Sequence, residues 1–278
     1  LKGAPHQLSH ITELFIEAAL AAGRQIMAAA GCGSTMKADR SPVTDADLRA
    51  EAIIREKLTA ALPDIPVIGE EHGSTCTPGT VPDALILVDP LDGTRDFLAG
   101  SPEFTVNIAL ISQGRAVVGV VHAPALGRLF AGEVGASARE IAVSREGAVD
   151  TMGGRPIAVR KVVGDGPVAL ESRSHREPAT EALLAQFRPA TRRRVGSSLK
   201  FALIAAGEGD LYVRGVSLNG WDIAAGDALL TAAGGAVRSL AGEPIRYGPD
   251  AAKAPPFIAS GDPRLQGSIG EPRPATMR

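Results

Sequence analysis

Cysteine is scarce in this chain. Its 278 residues include two, Cys32 and Cys76. They form neither a CxxC pair nor a disulfide framework, which fits a reducing, cytoplasmic compartment. An excess of one charge is also missing. Basic residues number 29 and acidic residues 31, for a net charge of −2. No global field therefore draws the chain to nucleic acid or to an anionic membrane, and any phosphate recognition has to be local. No apolar run approaches the roughly 18 residues of a membrane span. No basic segment followed by an apolar core opens the chain, so no signal peptide and no stable membrane anchor are expected. Repeats and low-complexity linkers are absent. At this length the chain can form one large domain or two moderate ones.

What is present is clear periodicity. Leu8, Ile11, Phe15, Ala18, Ala19, Ala22 and Ile26 mark one face of a first helix, which Gly31 and Gly33 end. A second helix runs from about Thr44 to Leu62, stopped by Pro63. Short strands follow at Val67-Ile68 and Ala84–Val88. Phe104–Ile111 and Ala116–His122 flank Gln113-Gly114-Arg115 and predict an antiparallel hairpin. A second strand-and-helix region begins at Val168. It holds short helices around Leu183 and Leu199, strands at Leu211–Arg214, Ala236–Ser239 and Pro256–Ala259, and a helix from Asp222 to Ala233. The boundary is expected near Gly153-Gly154. It separates an N-terminal α+β domain (1–153), carrying most of the acidic candidates, from a C-terminal α/β domain (154–278), with a cleft between them. The tail from Glu271 to Arg278 is expected to be loosely ordered.

Asp89-Pro-Leu-Asp-Gly-Thr94 follows the apolar run Ala84–Val88. Two carboxylates at a strand end, with no His or Cys nearby, suit Mg²⁺ or Mn²⁺ better than Zn²⁺. The Gly93 and Thr94 amides can face an anion if a helix starts there. Asp-Pro and Asp-Gly also form ordinary turns, so the hexapeptide alone does not decide. Glu70 follows a strand as well, with Glu71 beside it, and strand ends are where open α/β folds place ligands. Asp222 stands at a helix start and Asp47 in Thr44-x-x-Asp47; both also read as helix caps.

Lys37-x-Asp39, Pro42-Val-Thr-Asp-Ala-Asp47, Gly69-Glu-Glu71, Asp89–Thr94 and Trp221-Asp-Ile-Ala-Ala-Gly226 occur in that order. Their spacing resembles the inositol monophosphatase-like superfamily of Mg²⁺-dependent, lithium-sensitive phosphatases. Glu103–Ile111, Glu171–His175 and Gly196–Phe201 are similar to its bacterial 3'(2'),5'-bisphosphate nucleotidase branch, which acts in sulfur metabolism. The resemblance covers roughly residues 37–122 and 168–240. It departs at His72, where Ser is frequent, without touching the acids.

The resemblance implies an α/β (α+β) fold, a layered α-β-α-β-α sandwich of the inositol monophosphatase/fructose-1,6-bisphosphatase type. It implies that Glu70, Asp89 and the Leu91 carbonyl hold one Mg²⁺, that Asp89, Asp92 and Asp222 hold a second, and that a third, weaker ion sits near Glu70 through water. Mn²⁺ is a substitute. Asp47 and Thr94, with Glu70, would prepare the attacking water, and Gly93 and Thr94 would hold phosphate oxygens. Ser197 and Lys200 would contact a second phosphate; three apart at a helix start, they share a face. His175 would approach the nucleotide, and Trp221 would be a packed wall. Arg192-Arg193-Arg194 reads as a solvated basic edge. The implied activity removes the 3'-phosphate of 3'-phosphoadenosine 5'-phosphate. An inositol-1-phosphatase or broad sugar phosphatase of the same fold is the alternative, and a catalytically silent metal-binding regulator is a third reading. The partner is a phosphorylated nucleotide rather than nucleic acid, to a monomer or homodimer. Peripheral association with the inner membrane, described for some relatives, stays open.

Overall fold

The computed structural model describes residues 5–29, 34–36, 42–74, 82–144, 147–149, 153–174, 177–249 and 253–266. Cys32, Cys76, Gly31, Gly33, Lys37, Asp39, His175 and the tail at 271–278 lie outside the described residues. The chain runs α1 (Pro5–Ala28), β1 (Ser34–Met36), β2 (Pro42–Thr44), α2 (Asp45–Ala61), β3 (Val67–Gly69), β4 (Gly73–Ser74), β5 (Ala84–Asp92), α3 (Thr94–Leu98), β6 (Thr105–Ser112), β7 (Arg115–Ala123), β8 (Arg128–Glu133), β9 (Ser137–Ala142) and β10 (Arg155–Pro156). It continues through β11 (Val168–Ser172), α4 (Pro178–Ala185), β12 (Thr191–Val195), α5 (Leu199–Ala205), β13 (Leu211–Arg214), α6 (Gly220–Ala232), β14 (Ala236–Ser239) and β15 (Phe257–Ser260). An eight-stranded sheet has the order β10-β9-β8-β7-β6-β5-β3-β4, and a five-stranded sheet the order β12-β11-β13-β15-β14.

Five layers follow from which faces are apolar. In β5, Ile86 and Val88 point to one side and Leu85 and Leu87 to the other, as the two-residue period of a strand requires. All four are buried, so both faces of the sheet are covered. One face packs, with Val106, Ile108 and Val120, beneath Phe15 and Ile26 of α1 and Ile54 and Leu58 of α2. The other, with Ala109, Ile111 and Phe130, packs on α5 and α6, which also meet Leu170, Tyr212 and Phe257 of the second sheet. The outer face of that sheet, through Leu211, Val213 and Ile258, is covered by Leu183 and Leu184 of α4 and by Phe187. Helices, sheet, helices, sheet and helix make the expected α-β-α-β-α sandwich. The apolar layer between the sheets draws on both halves of the chain.

The seat of α6 is set by two glycines. Gly119 on β7 and Gly132 on β8 are register partners. A methyl group at Gly119 would lie 2.1 Å from the Ala225 carbonyl oxygen, and one at Gly132 2.7 Å from Leu229 Cα. Only glycine lets the helix backbone approach the sheet there. That approach fixes the height of the helix whose first turn carries Asp222.

Three local features differ from the sequence expectation. β5 continues past Val88 to Asp92, and its pairing with β6 shifts register between Asp89 and Asp92. Pro90 has no N–H to donate, and a bulge absorbs the missing bond. The three arginines at 192–194 are exposed, as expected of a basic edge, but they also form an edge strand, β12, where charge discourages pairing with other chains. Ser197 stands before α5 rather than on it, with φ at 49°. The helical face that Ser197 and Lys200 were expected to share therefore does not exist.

Candidate active site

The site assembles where β3 ends beside the irregular stretch of β5 that begins at Asp89. These strands pair in parallel, Gly69 opposite Val88, and the Glu70 N–H donates to the Val88 carbonyl at 3.2 Å. Glu70 thus emerges next to Asp89. Asp222 arrives from the first turn of α6, where it closes a capping box with Asn219 and accepts the Asn219 N–H at 3.1 Å. Capping and site membership coexist because a carboxylate has two oxygens. One oxygen each from Glu70, Asp89 and Asp222 lies within 4.8 Å of the others. Asp92 stands alongside and accepts the Ser198 N–H at 2.5 Å.

These acids repel one another. Burial first, then Glu70, Asp92, Asp222 and Asp47, holds Asp89 well above the usual carboxylate range. Asp222 is raised likewise by burial, then by Asp92 and Glu70. Burial pushes Asp92 up to about 6, opposed by Lys200 and by the Ser198 amide. A divalent cation among them would relieve that repulsion, and an all-oxygen donor set fits a hard ion. On this test the residues present suit Mg²⁺ or Mn²⁺.

Asp47 lies behind the cluster. It caps α2 as part of a full capping box, its Oδ2 accepting from the Thr44 N–H at 2.8 Å and the Thr44 hydroxyl at 2.6 Å. Its Oδ1 is left for the Thr94 hydroxyl at 3.2 Å; the buried Leu91 carbonyl lies equally near that hydroxyl. Burial raises the Asp47 pKa, against the lowering effect of its hydrogen bonds to Thr44. Thr94 opens α3 after Gly93, whose φ of 92° suits glycine. Thr94 lines an open cavity of about 260 Å³ together with Glu70, Asp89, Asp92, Gly93 and Asp222; Asp47 stands outside its wall.

Residues 7–274 match the inositol monophosphatase family. The chain belongs to that family. The 3'(2'),5'-bisphosphate nucleotidase CysQ of Salmonella typhimurium (strain LT2) is 40% identical, over 77% of this chain and 82% of that protein. The inositol-1-monophosphatase of Mesorhizobium japonicum is 34% identical, over 84% of this chain and 87% of that protein. Among solved structures, CysQ from Bacteroides thetaiotaomicron superposes with a TM-score of 0.76 at 32% identity, covering 90% of this chain and 97% of that one.

In this inositol monophosphatase family member, the far wall of the cavity comes from the second half of the chain. Ser197, Ser198, Lys200, Phe201 and Tyr212 line it, while Trp221 is packed against the neighbouring core. Lys200 is only 3% exposed. Its Nζ donates to the Ser197 carbonyl at 2.5 Å and the Val195 carbonyl at 3.2 Å, and lies 4.9 Å from the Tyr212 ring centre. Burial pulls its pKa down to about 8, partly opposed by Asp92.

Two residues here lie in stretches that carry the resemblance, yet the sequence assigned them no role. Ser198 is one: its hydroxyl donates to Asn107 at 2.6 Å and lies 2.8 Å from the Thr105 hydroxyl. This pins the amide that holds Asp92. Glu103 is another, accepting the Gly196 N–H at 2.8 Å and Arg173 Nη2 at 2.7 Å, so it clamps the 196–198 turn to the segment that leads into β6. A serine or glutamate between two elements looks like any surface polar residue until the elements meet.

Proposed function

We propose that this chain is a divalent-metal-dependent phosphatase that removes the 3'-phosphate of 3'-phosphoadenosine 5'-phosphate, giving AMP and phosphate. The observation that carries the phosphatase reading is the convergence of Glu70, Asp89 and Asp222 oxygens within 4.8 Å beside the Asp47–Thr94 pair. The nucleotide substrate is supported by the similarity to proteins named 3'(2'),5'-bisphosphate nucleotidase. Glu70, Asp89, Asp92, Asp222 and the Leu91 carbonyl would hold Mg²⁺, in two sites with a third near Glu70. Bound there, the cations would lower the pKa of water and offset phosphate charge.

The chain's own residues account for the rest. Thr94 presents its hydroxyl to the cavity and its proton to Asp47, so a water resting on Thr94 can lose a proton towards Asp47. The raised pKa of Asp47 makes it a better proton acceptor than an ordinary aspartate. Backbone amides at the start of α3, from Gly93 and Thr94, have no partner within the helix and suit phosphate oxygens. Attack is in line at phosphorus, and no side chain forms a covalent intermediate. Ser197 and Lys200 would meet the second phosphate once Lys200 Nζ exchanges a backbone carbonyl for it. His175 would approach the nucleotide.

One observation favours the inositol-1-phosphatase alternative: the Lys200 ammonium already has two carbonyl partners. Product analysis separates the readings. Incubation of 3'-phosphoadenosine 5'-phosphate with Mg²⁺ should give AMP, and EDTA should stop it. Adenosine 3'-phosphate as product, or no release above the EDTA control, contradicts the proposal.

A further inference from the structure

Glu51 is a carboxylate fully withdrawn from solvent, at 0% exposure. Burying such a charge is costly unless partners surround it. Its Oε2 accepts the Glu71 N–H at 2.7 Å, and its Oε1 accepts the His72 N–H at 3.1 Å and Arg55 Nη2 at 3.0 Å. The His72 ring Nδ1 lies 3.2 Å from the same Oε1. Arg55 also donates to the Val67 carbonyl at 3.1 Å and the Gly73 carbonyl at 3.0 Å, so the pair spans the β3–β4 turn. Gly69 completes the fit. A Cβ there would lie 2.0 Å from Oε1. The turn is built around this carboxylate.

Glu70 sits at the centre of that turn. Its own N–H is held by the Val88 carbonyl, and the next N–H, of Glu71, is held by Glu51. Peptides on both sides of the Glu70 Cα are anchored, which sets the direction in which its side chain leaves toward Asp89 and Asp222. Glu51 lies one helical turn after Asp47, on the same face of α2. A single helix thus backs both Thr94 and Glu70. We propose that Glu51 is a positioning residue that aims Glu70 into the cation site by holding the Glu71 and His72 amides. This rests on Glu70 being a metal ligand.

The test is Mn²⁺ binding to the metal-free protein without substrate, followed by the paramagnetic resonance of the free ion. Glu70→Gln provides the reference: wild type binds and this variant binds at least tenfold more weakly. Glu51→Gln keeps the shape but turns an NH₂ group toward an amide donor. It should weaken Mn²⁺ binding tenfold or more, while KM for the phosphate substrate stays within twofold at saturating Mg²⁺ and kcat recovers there. Glu51→Asp keeps the charge beside Arg55 and falls one methylene short of the Glu71 amide. It should weaken binding likewise, and it serves if the Gln variant does not fold. A folded Glu51 variant with wild-type Mn²⁺ affinity, measured beside a defective Glu70→Gln, overturns the positioning role and leaves the ligand reading intact. If wild type binds no Mn²⁺, the ligand reading fails and the positioning role falls with it.

Discussion

Asp92→Asn should stabilise the metal-free fold while abolishing turnover. In the folded protein Asp92 titrates near 6, against 3.8 for an ordinary aspartate, chiefly because it is desolvated. A folded-state pKa above the unfolded value means that the native protein binds the extra proton. Stability from this group is therefore full below 3.8 and is lost as pH rises through 6. A carboxyl raised from 3.8 to about 6 loses roughly 3 kcal/mol of stability by neutral pH. Asp92 is only part-buried, so solvent screening trims this to about 2 kcal/mol. Asparagine carries no charge at any pH. Its side-chain oxygen can still accept the Ser198 N–H, and it relieves Asp89 and Asp222 of a negative neighbour. Urea denaturation in EDTA at pH 7.5 should show Asp92→Asn more stable than wild type by about 2 kcal/mol. Added Mg²⁺ should stabilise wild type more than the variant, which keeps Glu70, Asp89 and the Leu91 carbonyl for one ion but loses a ligand to the second, because ligand-linked stability follows affinity. A variant that is less stable than wild type in EDTA, or one that retains wild-type turnover, would refute the reasoning.

Other perturbations test other parts of the site. Thr94→Val removes the hydroxyl at nearly constant volume; kcat should fall by about a hundredfold or more, with melting temperature little changed, and steady-state kinetics beside a thermal scan checks both. Lys200→Ala should raise KM for a bisphosphate far more than for a monophosphate, and equal effects on the two substrates would remove Lys200 from phosphate recognition. Buried His122 donates through Nδ1 to the Ala19 carbonyl at 3.0 Å, and burial lowers its pKa to about 4. The unfolded state therefore binds the proton first, and this contribution, roughly 3 kcal/mol, is present above 6.5 and lost as pH falls toward 4. His122→Gln should flatten that part of the pH–stability curve. Gly23→Ala would put a methyl group 2.4 Å from His122 Cε1 and should destabilise by about 1–3 kcal/mol, read from the denaturation midpoint.

Much of this was legible in the sequence because its signals are local. The apolar run of β5 demands burial on both faces, and Asp89-Pro-Leu-Asp-Gly-Thr94 compresses two acids and a helix start into six residues. The helices α1, α2 and α6 declare themselves by periodicity and caps. What escaped depends on elements distant in sequence. Glu51 sits four residues before Arg55, the spacing of an ordinary surface ion pair on a helix. Only the packing of the β3–β4 turn over α2 shows it as a buried acceptor. Lys200 looks like an exposed helix lysine, yet Tyr212 and two carbonyls enclose it. The run of arginines at 192–194 hides the edge strand β12, since its charges carry no apolar alternation to read.

The measurement that bears most directly on the proposed activity is kcat/KM for phosphate release with Mg²⁺ from 3'-phosphoadenosine 5'-phosphate, beside inositol 1-phosphate and fructose 1,6-bisphosphate. The nucleotide should be preferred by about a hundredfold or more, some 2.7 kcal/mol of transition-state discrimination. Comparable values on all three substrates would contradict a dedicated nucleotidase, and would return Ser197 and Lys200 to a structural part in the turn before α5.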